Sequence, residues 1–489
     1  MNYAKPFLLL SFISILFVSC FKDDDDNTDI SASEVNNFVW KGMNSWYYWQ
    51  DYVTALDDTK DDNANTFNAY LNQYSKPENL FNDLLYNYET TDRFSWFIED
   101  YVVQQQAFQG ISKSFGIDFQ GVQVRAEGDV IIYIKYVVEN SPADEAGIQR
   151  GDVISAVNGT SLNTSNFGEI VYDLYEDTVT LTFAEENDGY LNTIGDKTIT
   201  AAVIAENPVY LKKVFEVNGK KVGYLVYTGF ILSYNDELNE AFAYFKNENI
   251  DQLILDLRLN GGGSVLTSAY LASMIYGAAS TEDGFGFLIY NEKHEDENGG
   301  YPFFDTLSVF NSNDKVTGTQ TINRLNTLSQ LYVLTSGGTA SASEMIINGL
   351  RPYMDVKLIG TTTYGKNVGS ITLYDSPESD YEEMETANPN HLYAMQPIVF
   401  KIFNKNGESD YTQGFTPDIE VKEYEYWNNI LPFGDENEVV LKAALDDISG
   451  NSGKTLFEAR ANSKRLTQPV NPNNKFKMDM YITPDFFKQ

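Results

Sequence analysis

Two short stretches of this chain could do chemistry together: Thr339-Ala340-Ser341-Ala342-Ser343-Glu344 and Tyr364-Gly365-Lys366-Asn367. A serine hydroxyl is a poor nucleophile until a base takes its proton, and an uncharged lysine amine can act as that base without any histidine. Lys366 lies 25 positions after Ser341. The two histidines of the chain, His294 and His391, both fall in polar stretches, so a Ser-His-Asp arrangement is poorly supplied. The pair points to acyl transfer by a Ser/Lys hydrolase.

The local pattern suggests how the two are held. Gln330 to Thr335 is an apolar run with β-branched and aromatic residues, bounded by Gly337-Gly338, and reads as a buried strand. From Ser341 to Tyr353 the apolar residues Met345, Ile346 and Leu350 have the spacing of a helix face, with Pro352 near the end. Ser341 then sits at the helix start, where free N–H groups and the positive dipole end favour an anion. A tetrahedral intermediate needs such a place for its oxyanion. Lys366 falls at the next strand-to-loop exit.

A third piece, Asp256-Leu257-Arg258-Leu259-Asn260-Gly261-Gly262-Gly263, follows the apolar Leu253-Ile254-Leu255 and precedes a helical stretch from Val265 to Tyr276. Strand, glycine turn and helix bring backbone N–H groups close to a ligand. The phosphate-loop pattern GxxxxGK[ST] is missing, as is a GxGxxG register. Each piece alone has a plainer reading: Ser341 and Ser343 as helix caps with Glu344 in the first turn, the glycines as an ordinary turn, Lys366 as a solvated surface lysine.

The lysine sets the tightest condition. Its pKa must fall from about 10.4 to near 7 to give a usable base, about 4 kcal/mol against the charged form. Desolvation can supply that and nearby carboxylates oppose it. The chain is acidic, with 34 basic against 70 acidic residues and a formal net charge of −36. The site is therefore expected to be dry and free of acids, and Ile359 to Gly369 contains no Asp or Glu.

The order DLRxNxGG, TASASE and then GK resembles the C-terminal processing (tail-specific) serine protease family. The resemblance implies that Ser341 is the nucleophile, that Lys366 is the general base, and that the N–H groups of Ala342 and Gly262 form the oxyanion hole. Gly414-Phe415-Thr416-Pro417-Asp418-Ile419 is similar to the family's closing strand motif. One departure stands out: many members carry a glutamine four residues after the lysine to orient it, and Ser370 stands there in this chain. The expectation is that the Ser370 hydroxyl takes over that role or that the orienting group lies elsewhere.

Upstream, Ser114-Phe115-Gly116-Ile117, the strand-like Ile131 to Ile134, Ser141 to Gly147, and the Asn158-Gly159 turn suggest a compact β-rich unit. The series resembles a PDZ domain of the kind inserted in these proteases. Phe115, Gly116 and Ile117 then match the loop that receives a peptide's C-terminal carboxylate while the peptide adds as a strand. A packing or gating element without a ligand is the alternative.

Residues 1–19 hold Lys5 and an apolar run from Phe7 to Val18, which reads as a secretory signal. Phe17-Val18-Ser19-Cys20 resembles a bacterial lipoprotein cleavage box, so the single cysteine is expected to carry lipid rather than a disulfide. Lys22-Asp23-Asp24-Asp25-Asp26 resembles the export tag of Bacteroidetes-type lipoproteins, implying an outer-membrane protein on the cell surface. Periplasm-facing anchorage is the alternative.

The expected fold is multidomain α/β. Its parts are a signal peptide (1–19), an acidic tether (20–30), a helical N-terminal domain (31–109), a PDZ-like β-rich domain (110–205), a protease core with a largely parallel sheet (206–430) and a C-terminal cap or tail (431–489). The aromatic group Phe38, Trp40, Trp46, Tyr47, Tyr48 and Trp49 reads as core, 280–328 as a polar insertion, and the last 25 or so residues as a weakly ordered tail. One cysteine and two isolated histidines cannot build a transition-metal site, and the acidity argues against nucleic acid. No cofactor is expected. Ser312 to Lys315 matches SxxK but lies in a hydrophilic stretch without its partner motifs. The expected function is a surface-anchored endopeptidase acting on the C-terminal segments of proteins or peptides. A non-catalytic protein binding a peptide or hydrophobic ligand on the same fold is the alternative.

Overall fold

The computed structural model describes residues 32–311, 314–326, 328, 330–451, 457–467 and 478–482. The signal, Cys20 and the acidic run lie outside the described residues.

The core is a six-stranded sheet ordered Val209–Val217, Lys220–Tyr227, Gln252–Asp256, Gln330–Thr335, Asp355–Gly360 and Ile419–Glu420. The first pair is antiparallel and every other pairing is parallel. Parallel strands with crossovers are covered on both faces and read as near-continuous apolar runs. Leu225, Tyr227, Leu253, Leu255, Leu331 and Val333 pack on the side of helices Asn235–Glu248, Val265–Ile275 and Ala342–Leu350. The alternate residues Tyr224, Val226, Ile254, Tyr332 and Leu334 pack against helix Val439–Ser449. That helix, expected only as part of a cap or tail, is the second layer of the core.

A second sheet runs Gly263–Ser264, Met480–Tyr481, Val368–Ser370, Ile398–Phe403, Gly284–Tyr290 and Gly299–Pro302. Two expectations are corrected here. Residues 280–328 are not merely a polar insertion: Gly284–Tyr290 pairs antiparallel with Ile398–Phe403, and its Phe285, Leu288 and Tyr290 enter the core. The C-terminal stretch is not only a loose tail either, because Met480–Tyr481 is an inner strand of this sheet.

The N-terminal part packs helix Ala32–Trp46 against Pro77–Asp83, and its buried Phe38, Trp40, Trp46 and Tyr47 belong to the same hydrophobic cluster as the core. Tyr48 and Trp49 are only partly buried. Strand Trp96–Ile98 pairs with Ala394–Gln396 of the core, which ties the two parts together.

The PDZ-like part has its own sheet and its own core, including Phe115, Phe119, Ile132, Ile154, Phe167 and Leu181. Its chain enters and leaves through the antiparallel pair Ile111–Ser114 and Ala202–Ala205. Among the described residues no helix is long and apolar enough to cross a membrane.

Candidate active site

The catalytic candidates hang on two loops zipped together. Thr339 Oγ1 donates to the Leu257 carbonyl at 2.8 Å, Ser336 Oγ to that of Arg258 at 2.6 Å, and Ser343 Oγ to that of Asn260 at 3.1 Å. Asn260 is fully buried and braces the turn: its Nδ2 donates to the Tyr227 carbonyl, and its Oδ1 accepts the Gly262 N–H at 2.9 Å.

Ser341 is the residue before helix Ala342–Leu350 and has φ 65°, ψ −120°. Positive φ in a non-glycine residue costs of order 1–3 kcal/mol and persists only where the surroundings impose it. They do so here through Glu344, whose buried carboxylate accepts four donors. Oε2 takes the N–H groups of Ser341 (3.0 Å) and Lys366 (2.8 Å); Oε1 takes Gly365 N–H (2.7 Å) and Thr363 Oγ1 (2.6 Å). Burial pushes the Glu344 carboxyl above its ordinary range, against the pull of these donors. One side chain thus clamps the backbones of both candidate residues. From the sequence Glu344 reads only as a first-turn acid, and nothing local announces the clamp.

The Ser341 hydroxyl is buried and makes no hydrogen bond. Glu344 reaches back to the Ser341 N–H at the helix start, as the acid of a capping box does. An unpaired buried hydroxyl forgoes about 1–3 kcal/mol, which a plain cap would recover.

Lys366 Nζ donates to the Met478 carbonyl at 2.8 Å and to Asp479 Oδ1 at 3.0 Å, and it lies 4.9 Å from the centre of the Phe94 ring. The side chains of the ion pair are 1% and 3% exposed. Trp96 Nε1 donates to the other Asp479 oxygen at 3.0 Å. Burial pushes the Asp479 carboxyl up, and the Lys366 ammonium pulls it partly back. The site is dry, as expected, but not free of acids. That expectation is corrected because it considered only sequence neighbours, and Asp479 arrives from 113 positions away.

Ser370 Oγ donates to the Met480 carbonyl at 3.2 Å and accepts from Gln396 Nε2 at 3.0 Å. The orienting contact to Lys366 expected of it is not formed. Lys366 is held instead by Met478, Asp479 and the ring of Phe94, with Arg93 Nη2 fixing the neighbouring Gly365 carbonyl at 2.9 Å.

Gly262 has φ +125°, and a Cβ there would lie 2.6 Å from Ser341 Cβ, so its lack of a side chain lets the loop reach the serine. Its N–H is taken by Asn260, whereas the Gly263 N–H donates to the Asp479 carbonyl at 2.7 Å. The Ala342 N–H is the first of its helix and has no intrahelical acceptor. A cavity lined by Phe108, Asp118, Phe230, Ile231, Gly262 and Tyr481 opens beside this loop. It lies where the N-terminal, PDZ-like and core parts meet.

In the PDZ-like part, Gly116 has φ +77°, and Ile117 begins strand Ile117–Gln123. Phe115 is buried in that part's core, and the Gly116 N–H lies 3.2 Å from Ser114 Oγ. The outer edge of the strand is paired antiparallel with Lys464–Arg465. No cluster of His, Cys, Asp or Glu able to hold a metal occurs among the described residues.

Comparisons with known proteins place the chain among peptidases. The model of peptidase family S41 matches residues 221–421, that of the peptidase S41 N-terminal domain matches 34–96, and a PDZ domain model matches 133–184. A CtpA-like serine protease from Staphylococcus aureus is 24% identical over 404 residues, 78% of this chain and 70% of that protein. A carboxyl-terminal-processing protease from a Picosynechococcus species is 25% identical over 272 residues, 55% of this chain and 58% of its own. The crystal structure of a protein described as an S41 protease from Bacteroides fragilis superposes with a TM-score of 0.64 at 28% identity, covering 84% of this chain and 97% of that one. The residues that match peptidase family S41 hold both the buried serine and the buried lysine, and the protein is a serine-type peptidase.

Proposed function

We propose that the protein is a serine endopeptidase in which Ser341 is the nucleophile and Lys366 its general base, acting near the C-terminus of protein or peptide substrates. The observation that carries this reading is the Glu344 clamp: one carboxylate oxygen holds the backbones of Ser341 and Lys366, and the strained serine keeps its hydroxyl free of other partners. A neutral Lys366 takes the hydroxyl proton as Ser341 attacks the scissile carbonyl, returns it to the leaving amine, and then activates the hydrolytic water. The Ala342 N–H, free of an intrahelical acceptor, is suited to receive the oxyanion; the Gly262 N–H expected beside it is bonded to Asn260 Oδ1 and would join only on release from that contact. The PDZ-like part, through Phe115 to Ile117, would hold the substrate's C-terminal segment as an added strand.

Ser341→Ala and Lys366→Ala should each abolish cleavage of a reduced, unfolded protein with the fold unchanged by circular dichroism, and Ser341→Ala should also lose labelling by a fluorophosphonate. A second reading, a peptide-binding protein without catalysis, is favoured by one observation: Lys366 faces Asp479 rather than the serine. It prevails if wild type neither cuts nor labels. We also infer from the sequence that Cys20 is lipidated and the protein displayed on the cell surface. Metabolic labelling with palmitate that is lost in Cys20→Ala, and sensitivity of intact cells to added protease, test that.

A further inference from the structure

The C-terminal stretch enters the site as an extended strand, seated by its backbone as well as by the side chains of Asp479, Met480 and Tyr481. Met480–Tyr481 lies between Gly263–Ser264 and Ser370, parallel to both. Gly263 N–H donates to the Asp479 carbonyl at 2.7 Å, Ser370 Oγ to that of Met480 at 3.2 Å, and Ile482 N–H to that of Ser370 at 3.4 Å. Any extended polypeptide offers the same groups, which is how strand addition binds peptides. The slot passes directly beside the nucleophile: a Cβ on Gly262 would lie 2.8 Å from Ser341 Oγ and 2.7 Å from the Asp479 carbonyl oxygen.

We infer that the chain's own C-terminal segment, Met478–Ile482, is the resting occupant of the substrate slot and that its Asp479 engages the Lys366 amine in an ion pair, so that cleavage begins only when an incoming extended polypeptide displaces it. This rests on the dyad reading above. An ammonium has three donors and no lone pair, so in the ion pair it cannot accept the Ser341 proton. The segment is therefore a bound inhibitor and not a substrate. The competing polypeptide must be unfolded, since only an extended backbone satisfies the slot, and it must carry an apolar side chain where the fully buried Met480 now sits.

The same stretch of chain takes a second peptide seat. Lys464–Arg465 adds antiparallel to Ile117–Gln123, with Arg465 opposite Val122. Leu466 N–H donates to the Gly121 carbonyl at 3.0 Å, Gln120 Nε2 to that of Leu466 at 2.9 Å, and the Leu466 side chain packs against the PDZ-like core. Its direction leads toward Gly116, as a peptide ending at that loop would run. Two segments of one tail thus lie where the reading above places a substrate.

The test uses the full chain. Asp479→Asn is nearly isosteric and keeps the stack of Tyr481 on Phe108, whose ring centres are 3.9 Å apart. It should raise kcat/KM for an unfolded protein at least tenfold. Hydrogen exchange on the Ser341→Ala chain gives a readout that needs no catalysis. The amides of Met480 to Ile482 should be protected at rest and exchange at least tenfold faster with saturating unfolded polypeptide, and also in the Ser341→Ala/Asp479→Asn chain. An unchanged or lower rate in Asp479→Asn, or tail protection that added polypeptide leaves intact, overturns the inference and makes the strand a fixed structural one. If no form of the enzyme cuts while the tail is still displaced, the dyad reading fails and the slot assignment stands.

Discussion

Lys366 has a carbonyl, a carboxylate and an aromatic face around its amine. In the proposed mechanism the same side chain is an ion-pair partner at rest and a base in turnover. Lys366→Arg separates the two. A guanidinium keeps the ion pair but has no accessible deprotonated form. Activity should fall by the ~10²–10⁴ ascribed to a general base, with the urea midpoint close to that of wild type. Glu344→Gln tests the clamp. Its amide NH2 would face donors, leaving at least one of four unmatched at a cost of about 1–3 kcal/mol; kcat should drop while KM moves little. Ser341 and Lys366 were legible because each sits in a short motif of its own. Glu344 was visible as a residue but not as a partner of Lys366. Trp96 and Asp479 carried no local signal, since their meaning arises only where distant segments touch.

The strand-turn-helix units are the elements that make this site. The runs Leu253-Ile254-Leu255 and Gln330 to Thr335 became strands as read, because residues buried on both faces leave a continuous apolar signature. Their loops bring the glycine turn against the serine. Gly262→Ala would place a methyl group 2.6 Å from Ser341 Cβ at φ +125°, a region that L-residues avoid. Displacing the nucleophile by about an ångström costs ~10²-fold in kcat, and that loss, measured in a variant that still folds, is the expected outcome. Strand Gly284–Tyr290 was misread as polar for a physical reason. Its Phe287 and Ile289 are exposed while Phe285, Leu288 and Tyr290 are buried, and its glycines and acidic flanks mask that alternation.

At the scale of the molecule, the PDZ-like part is joined to the core through buried charge. Arg150 bonds Glu423, and Arg258 of the DLR stretch bonds Asp256 at 2.7 Å, Glu423 at 2.8 Å and Glu438 at 3.0 Å. Burial alone would raise the Glu423 carboxyl; the guanidinium groups of Arg150 and Arg258 outweigh it and hold its pKa at about 2. A carboxyl lowered by folding stabilises the fold above its ordinary 4.5, and that contribution disappears as pH falls toward about 2. Glu423→Gln should therefore cost roughly 3–5 kcal/mol at neutral pH, as loss of one buried partner does. It should also flatten the decline of the urea midpoint across that acidic interval. Glu344 and Asp479, both raised by burial, act in the opposite sense, so the difference between variant and wild type is the diagnostic quantity.

By itself the sequence determined what short-range order can encode: which runs are strands, where the glycine turn and the helix-starting serine fall, and which lysine follows them. Those features depend on periodicity and on residues within a few positions of one another. Only the tertiary structure decided what surrounds the amine, because the acid on Lys366, the indole on that acid and the strand beside the glycine loop come from segments far apart in the chain. An ion pair requires nearness in space, and separation along the backbone says nothing about it.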